Sequence, residues 1–223
     1  MGDVSRVAHP RSVSLQFSSR ELLDLLVAWL ALGIAFMVFF AGGAGGALGL
    51  LSSGPSTLII ALVVSLVTAG IGFLFHELGH KVSAVRFNNV AVFRADYGML
   101  FVAVMSAFLG FLFAAPGAVH HRGPLTDRQH GLVALAGPAV NLVLAALFVP
   151  ALVLGSVLNL ELVALVGSRG LAVNLFLAAF NLVPLGPLDG STVLDWSKLI
   201  WFALFLPTAA VTVVVVFVFR IGF

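Results

Sequence analysis

Between Asp24 and His76 the chain contains no Asp, Glu, Lys, Arg or His, and then three ionisable groups arrive within five residues, His76-Glu77-Leu78-Gly79-His80. An apolar stretch of that length belongs in a bilayer, where only segments that satisfy their own backbone hydrogen bonds survive, chiefly helices of about 20 residues. Ionisable side chains at the end of such a stretch are costly unless a partner compensates them. On a helix, His76 and His80 stand one turn apart on one face, where two imidazoles can share an ion. Glu77 lies beside them, placed to act as a base toward water. The plainer arrangement is a histidine pair hydrogen-bonded inside a bundle, with Glu77 paired to Lys81 four residues later.

The rest of the composition narrows the class. At 61% hydrophobic and 9% charged, with a mean hydropathy of +1.17, the chain departs from soluble domains, which carry roughly 25% charged residues. The absence of cysteine excludes disulfides, thiolate zinc sites and cysteine nucleophiles, so any metal must be held by His and carboxylates. A net charge of +2 spread over so few charged residues points to orientation across a bilayer and not to nucleic acid. Residues 1–16 contain Arg6 and Arg11 but no apolar core, unlike a signal peptide. We expect residues 1–20 to form a cytoplasmic N-terminal segment and residues 21–223 a single transmembrane domain, with its core at about 57–194.

Apolar segments near residues 22–41, 57–86, 131–158, 171–183 and 199–219 predict five spanning helices, the last kinked at Pro207. Glycine-rich residues 42–49 and the turn Ser52-Ser53-Gly54-Pro55-Ser56 separate the first two. A further apolar run, residues 97–119, would as a sixth crossing leave the polar groups around His80 and Asp189 on opposite faces. We therefore expect it to enter and leave on one side, turning at Phe113-Ala114-Ala115-Pro116-Gly117. Lys81, Arg86 and Arg94 before it, and Arg122 and Arg128 after it, place both flanks in the cytoplasm together with Arg6, Arg11 and Arg20. Residues 90–96 alternate weakly in polarity, as a short strand does. The expected fold is an all-α polytopic membrane protein of five to six transmembrane helices, with a re-entrant or short β segment between the second and third.

Two imidazoles leave a catalytic zinc ion one protein ligand short. Asp3, Glu21 and Asp24 are early and juxtamembrane, while Asp96, Asp127, Glu161 and Asp195 lie in or beside polar loops. Asp189 alone follows an apolar helix within a broken segment, Pro184-Leu185-Gly186-Pro187-Leu188-Asp189-Gly190. Irregular backbone at membrane depth is tolerated where it lines a polar cavity. Its simpler role is that of a helix N-cap.

His76-Glu77-x-x-His80 followed by Ala84, together with Asn181-x-x-Pro184-x-x-x-Leu188-Asp189-Gly190, resembles the site-2 protease family of intramembrane zinc metalloproteases. Residues 137–141, Gly-Pro-Ala-Val-Asn, resemble the small-residue motif on that family's intervening helix, and the likeness covers about residues 57–194. Ser191 stands where many members have glycine, and no PDZ or CBS-type appendage fits in the chain. The resemblance implies an endopeptidase that cuts transmembrane segments of membrane-protein substrates with one zinc ion per chain. His76, His80 and Asp189 would be the ligands, Glu77 the catalytic acid/base, and Asn181 a group beside the metal that assists substrate or oxyanion. Asn141 fits either helix packing or a weaker oxyanion role. The competing reading is a catalytically inactive membrane protein of the same architecture that binds metal or clients. The expected partners are transmembrane substrates and the lipid bilayer, with no nucleic acid. His120, His121 and His130 read as exposed loop histidines in preference to a second metal site, and Trp29, Trp196 and Trp201 as interfacial anchors.

Overall fold

Apolar helices with long uncharged runs dominate the computed structural model of the chain, which describes residues 13–113 and 116–222. The expectations placed on Arg6 and Arg11, and on Ala114 and Ala115 in the turn, lie outside the described residues. In chain order come α1 (Ser19–Phe40), α2 (Ala44–Ser52), α3 (Pro55–Ser65), α4 (Ile71–Arg86), β1 (Val90–Ala95), α5 (Tyr97–Phe108), β2 (Gly117–Arg122), α6 (Asp127–Val157), α7 (Glu161–Asn181), α8 (Asp189–Trp196) and α9 (Lys198–Thr212). A π turn, Leu66–Gly70, joins α3 to α4 as one rod of 32 residues, and a second, Val213–Val218, extends α9. Five helices, α1, the α3–α4 rod, α6, α7 and extended α9, are long and apolar enough to cross a membrane. On α1 the outward residues Leu22, Leu23, Leu26, Leu30 and Ile34 are all exposed, the arrangement lipid contact requires. The chain is an all-α polytopic membrane protein.

Local chemistry sets the helix starts. Ser18 Oγ accepts from Glu21 N at 3.2 Å to open α1, and Pro55 begins α3. Thr126 and Gln129 form a reciprocal capping box that starts α6 upstream of its apolar run. The first half of α7 is hidden from hydropathy by Gly167, Arg169 and Gly170, and this is why residues 171–183 underestimate it. Those residues serve packing: a Cβ on Gly170 would collide with the Phe148 ring, and one on Gly167 would come within 2.5 Å of Leu152 Cα. Gly155 in turn faces Ala164, so α6 and α7 run antiparallel at close approach. The Arg169 guanidinium lies 4.1 Å from the Phe40 ring centroid, a stacked position compatible with its charge.

Among its described residues, the apolar run at 97–119 forms no helix long enough to cross. Helix α5, with 12 residues, is about 18 Å long, well short of a hydrocarbon layer about 30 Å thick. Strands β1 and β2 pair antiparallel, with Ala95 opposite Gly117 and Val90 opposite Arg122, so the excursion through α5 returns to its starting point. This agrees with a re-entrant segment. Leu100 and Ala103 of α5 pack with Ala28 and Leu32 of α1, and Ala107 with Ala35 and Val38. The second strand escapes the sequence reading because its first half continues an apolar run and its second half opens a polar one. Most of the glycine-rich residues 42–49 fall in α2, for which Gly43 is the N-cap.

Candidate metal centre

Helix α4 buries His76, Glu77 and His80, and the opposing group comes from the far end of α7. There the chain folds back sharply. Trp201 of α9 donates its Nε1–H to Leu182 O at 2.8 Å, and Gly190 packs so tightly on that carbonyl that any Cβ would collide with it. The broken segment between them delivers Asp189 as the first residue of α8. Leu188 occupies the N-cap position and no side chain caps this helix, so the Asp189 carboxylate is not spent there.

The three side chains converge. His76 Nε2 and His80 Nε2 are 3.0 Å apart, and Asp189 Oδ2 lies 3.3 Å from the first and 3.4 Å from the second. The outer nitrogens define the tautomers. His80 Nδ1 is 2.8 Å from Val133 O, which can only accept. His76 Nδ1 is 2.7 Å from Asn141 Oδ1, whose amide is oriented by donating Nδ2 to Gly72 O at 3.0 Å and to Asn174 Oδ1 at 2.9 Å. Both Nδ1 atoms therefore carry the proton, and both Nε2 lone pairs point at the carboxylate. Asp189 Oδ2 is buried without a hydrogen-bond donor among the described residues. Three acceptors facing one another need a cation between them. Tetrahedral zinc with ligands at about 2.0–2.1 Å spaces those ligands about 3.3 Å apart, as here. This triad forms the cluster that can hold a metal ion among the described residues. Gly137 on α6 leaves the necessary room, since a Cβ there would collide with His80 Nε2 and lie 2.6 Å from His76 Cε1.

Two cavities meet at this point. One, of about 160 Å³, is mainly apolar and runs between α1, α4 and α7 past Phe36, Phe73 and Phe176 to His76, Glu77 and Asn181. The other, of about 200 Å³, is polar and reaches all three members of the triad together with Glu77 and Asn181. Glu77 Oε2 is buried without a hydrogen-bond partner among the described residues. Lys81 does not pair with it, because Lys81 Nζ meets Glu21 Oε1 at 2.5 Å on another face of α4. Asn181 donates one amide hydrogen to Leu177 O at 2.9 Å and borders both cavities.

Known proteins with related sequences decide the family. Over 197 residues the chain is 36% identical to "Putative zinc metalloprotease MJ0611" of Methanocaldococcus jannaschii, covering 86% of this chain and 92% of the relative. It is 31% identical over 157 residues to "Putative zinc metalloprotease YwhC" of Bacillus subtilis, covering 63% and 70% of the two chains. The chain belongs to this zinc metalloprotease family. A match to "Putative zinc metalloprotease sll0528" of Synechocystis, 33% identical over 151 residues, covers only 34% of that longer protein. No family model matches the chain, and no solved structure does so significantly. With five spanning helices, this is a membrane metalloprotease of the metallopeptidase class.

Several residues of the metalloprotease play parts that its sequence did not disclose. Asn141 is no oxyanion donor, because both its amide hydrogens are engaged; it orients His76. Asn174, overlooked in the sequence, completes that chain and anchors it to Gly170 O at 2.8 Å. Its signal was a lone amide in the middle of an apolar helix. The tryptophans are not simply interfacial anchors. Trp201 is buried and holds the α7 end, Trp29 donates to Leu66 O in the π turn at 3.1 Å, and Trp196 packs over Gly131. His120 and His121 lie on β2 and His130 on α6, not in a loop, and His121 and His130 border the polar cavity.

Proposed function

We propose that this protein is an intramembrane zinc endopeptidase of the site-2 protease kind, hydrolysing peptide bonds within or near transmembrane segments of membrane-protein substrates. The observation that carries the reading is the meeting of an apolar cavity and a polar cavity at Glu77, beside three convergent acceptors. A segment released from lipid can follow the first, while water, which hydrolysis consumes, follows the second. His76, His80 and Asp189 would hold one catalytic zinc ion. When bound, that ion polarises a carbonyl and acidifies water. Glu77 accepts a proton from the attacking water and passes it to the leaving amine. Its unpartnered Oε2 keeps it free for that transfer. Asn181, with one amide hydrogen uncommitted among the described residues, donates to substrate or to the developing oxyanion. The substrate helix must unwind near the site, because helical carbonyls are already hydrogen-bonded.

The basic residues Arg86, Arg94, Arg122 and Arg128 lie in or beside the sheet and support an active site that opens toward the cytoplasm, with the N-terminus on the same side. The test is cleavage of a single-span substrate by purified protein in lipid. Wild type should cut, and Glu77→Gln should keep its zinc and stop cutting. Full cleavage by Glu77→Gln removes Glu77 from the mechanism. Zinc binding without cleavage by wild type favours the inactive client-binding alternative.

A further inference from the structure

We propose that His121 and His130 form a second transition-metal site, at the mouth of the polar cavity that leads to the triad. Strand β2 alternates inward and outward residues, which turns His121 toward that cavity and leaves His120 exposed on the other face. His130 comes from the first turns of α6, whose start is held by the Thr126–Gln129 capping box. The two rings lie 5.5 Å apart, centroid to centroid, inclined at 74°. The triad's own pair, His76 and His80, lies at 4.7 Å and 82°. Two imidazoles bound tetrahedrally to one zinc ion place their centroids about 5 Å apart, between these two values.

His121 supplies a second, independent sign. Its Nδ1 is buried and has no hydrogen-bond partner among the described residues. A buried ring nitrogen of this kind ordinarily finds a donor, an acceptor or a metal. Burial, and then the neighbouring His130 and His120, hold the His121 imidazole below its ordinary pKa, which favours the neutral form that binds metal. Two protein ligands, with solvent completing the shell, hold an ion more loosely than three. A loose site on the path to a tight one suits capture and transfer of zinc, and suits occupancy when zinc is in excess. Neither step requires the proteolytic reading.

The measurement is zinc stoichiometry. Full-length protein in detergent is stripped with chelator, equilibrated with a graded excess of free Zn²⁺ and assayed for bound metal. Two zinc ions per wild-type chain are expected, the second bound more weakly. His121→Asn/His130→Asn should lose the weak ion and keep the tight one, whereas His76→Ala/His80→Ala should lose the tight ion and keep the weak one. The single variant His130→Ala changes an exposed residue, so it tests the weak ion with little risk to folding, and an unchanged size-exclusion profile certifies each variant. Saturation of wild type at one ion overturns the proposal. So does full retention of both ions by the His121/His130 variants. A chain that binds two ions and cuts nothing refutes the proteolytic reading and leaves this one standing.

Discussion

His80 and Lys81 are neighbours on α4, about 100° apart around the helix, and each belongs to a different kind of buried polar cluster. Around Lys81 the charges cancel. Its ammonium meets Glu21 Oε1, which also accepts from Phe93 N at 2.9 Å, and the Phe17 ring lies 4.0 Å from the nitrogen. Around His80 nothing cancels, since two imidazole lone pairs and a carboxylate oxygen crowd together with no donor among them. The first cluster is neutral as it stands, although Glu21 Oε2 has no hydrogen-bond partner among the described residues, and it holds α1 and β1 against α4. The second is complete only with a cation. One helix thus carries a structural ion pair and a metal-binding face on adjacent residues, and their difference lies in the partners the fold brings, not in burial.

The sharpest way to break this contrast is to remove the anion from the incomplete cluster. Asp189→Ala should lose tightly bound zinc and reduce cleavage to background, read by metal analysis and a substrate assay; retained zinc at full occupancy would deny Asp189 a ligand role. Glu77→Gln should lower cleavage by about 10²–10⁴-fold at unchanged zinc content, the range for a lost general acid–base. In the charge-balanced cluster, Glu21→Ala strands a buried ammonium and should destabilise the protein by about 3–5 kcal/mol, seen as a lower unfolding temperature in detergent. Glu21→Ala combined with Lys81→Met should recover most of that loss, and failure to recover would mean that the pair does not act as a unit. The smallest effect is expected at the support of the metal centre. Asn141→Ala should weaken zinc binding by about 10–100-fold without moving the ligands, measured by competition with a chromophoric chelator.

Much of this architecture was legible because lipid imposes simple rules. Long uncharged runs predicted all five spans, and the need to bring His80 and Asp189 to one depth predicted that residues 97–119 would turn back. The motif residues His76, Glu77, His80 and Asp189 were legible because ionisable groups beside apolar helices are few. Glu21 and Asp24 were not, although both are almost fully buried. Their position at the start of α1 suggests exposure, and only tertiary packing supplies Lys81 of α4, Arg94 of β1 and Tyr97 of α5 as partners. Strand β2 was equally hidden, because pairing with β1 depends on a residue more than twenty positions away and not on its own mixed pattern.

From its amino acids alone, then, the chain dictated how many long apolar helices it forms and which three ionisable groups, with Glu77 beside them, invite a metal, since solvation penalties act on each segment by itself. Tertiary structure decided which polar atoms meet. It turned Asn141 and Asn174 into supports for His76, gave Lys81 to Glu21 instead of Glu77, and set His121 against His130. Hydrogen bonds and ion pairs are short-ranged and directional, so their partners exist only once distant segments have been packed to within a few ångströms.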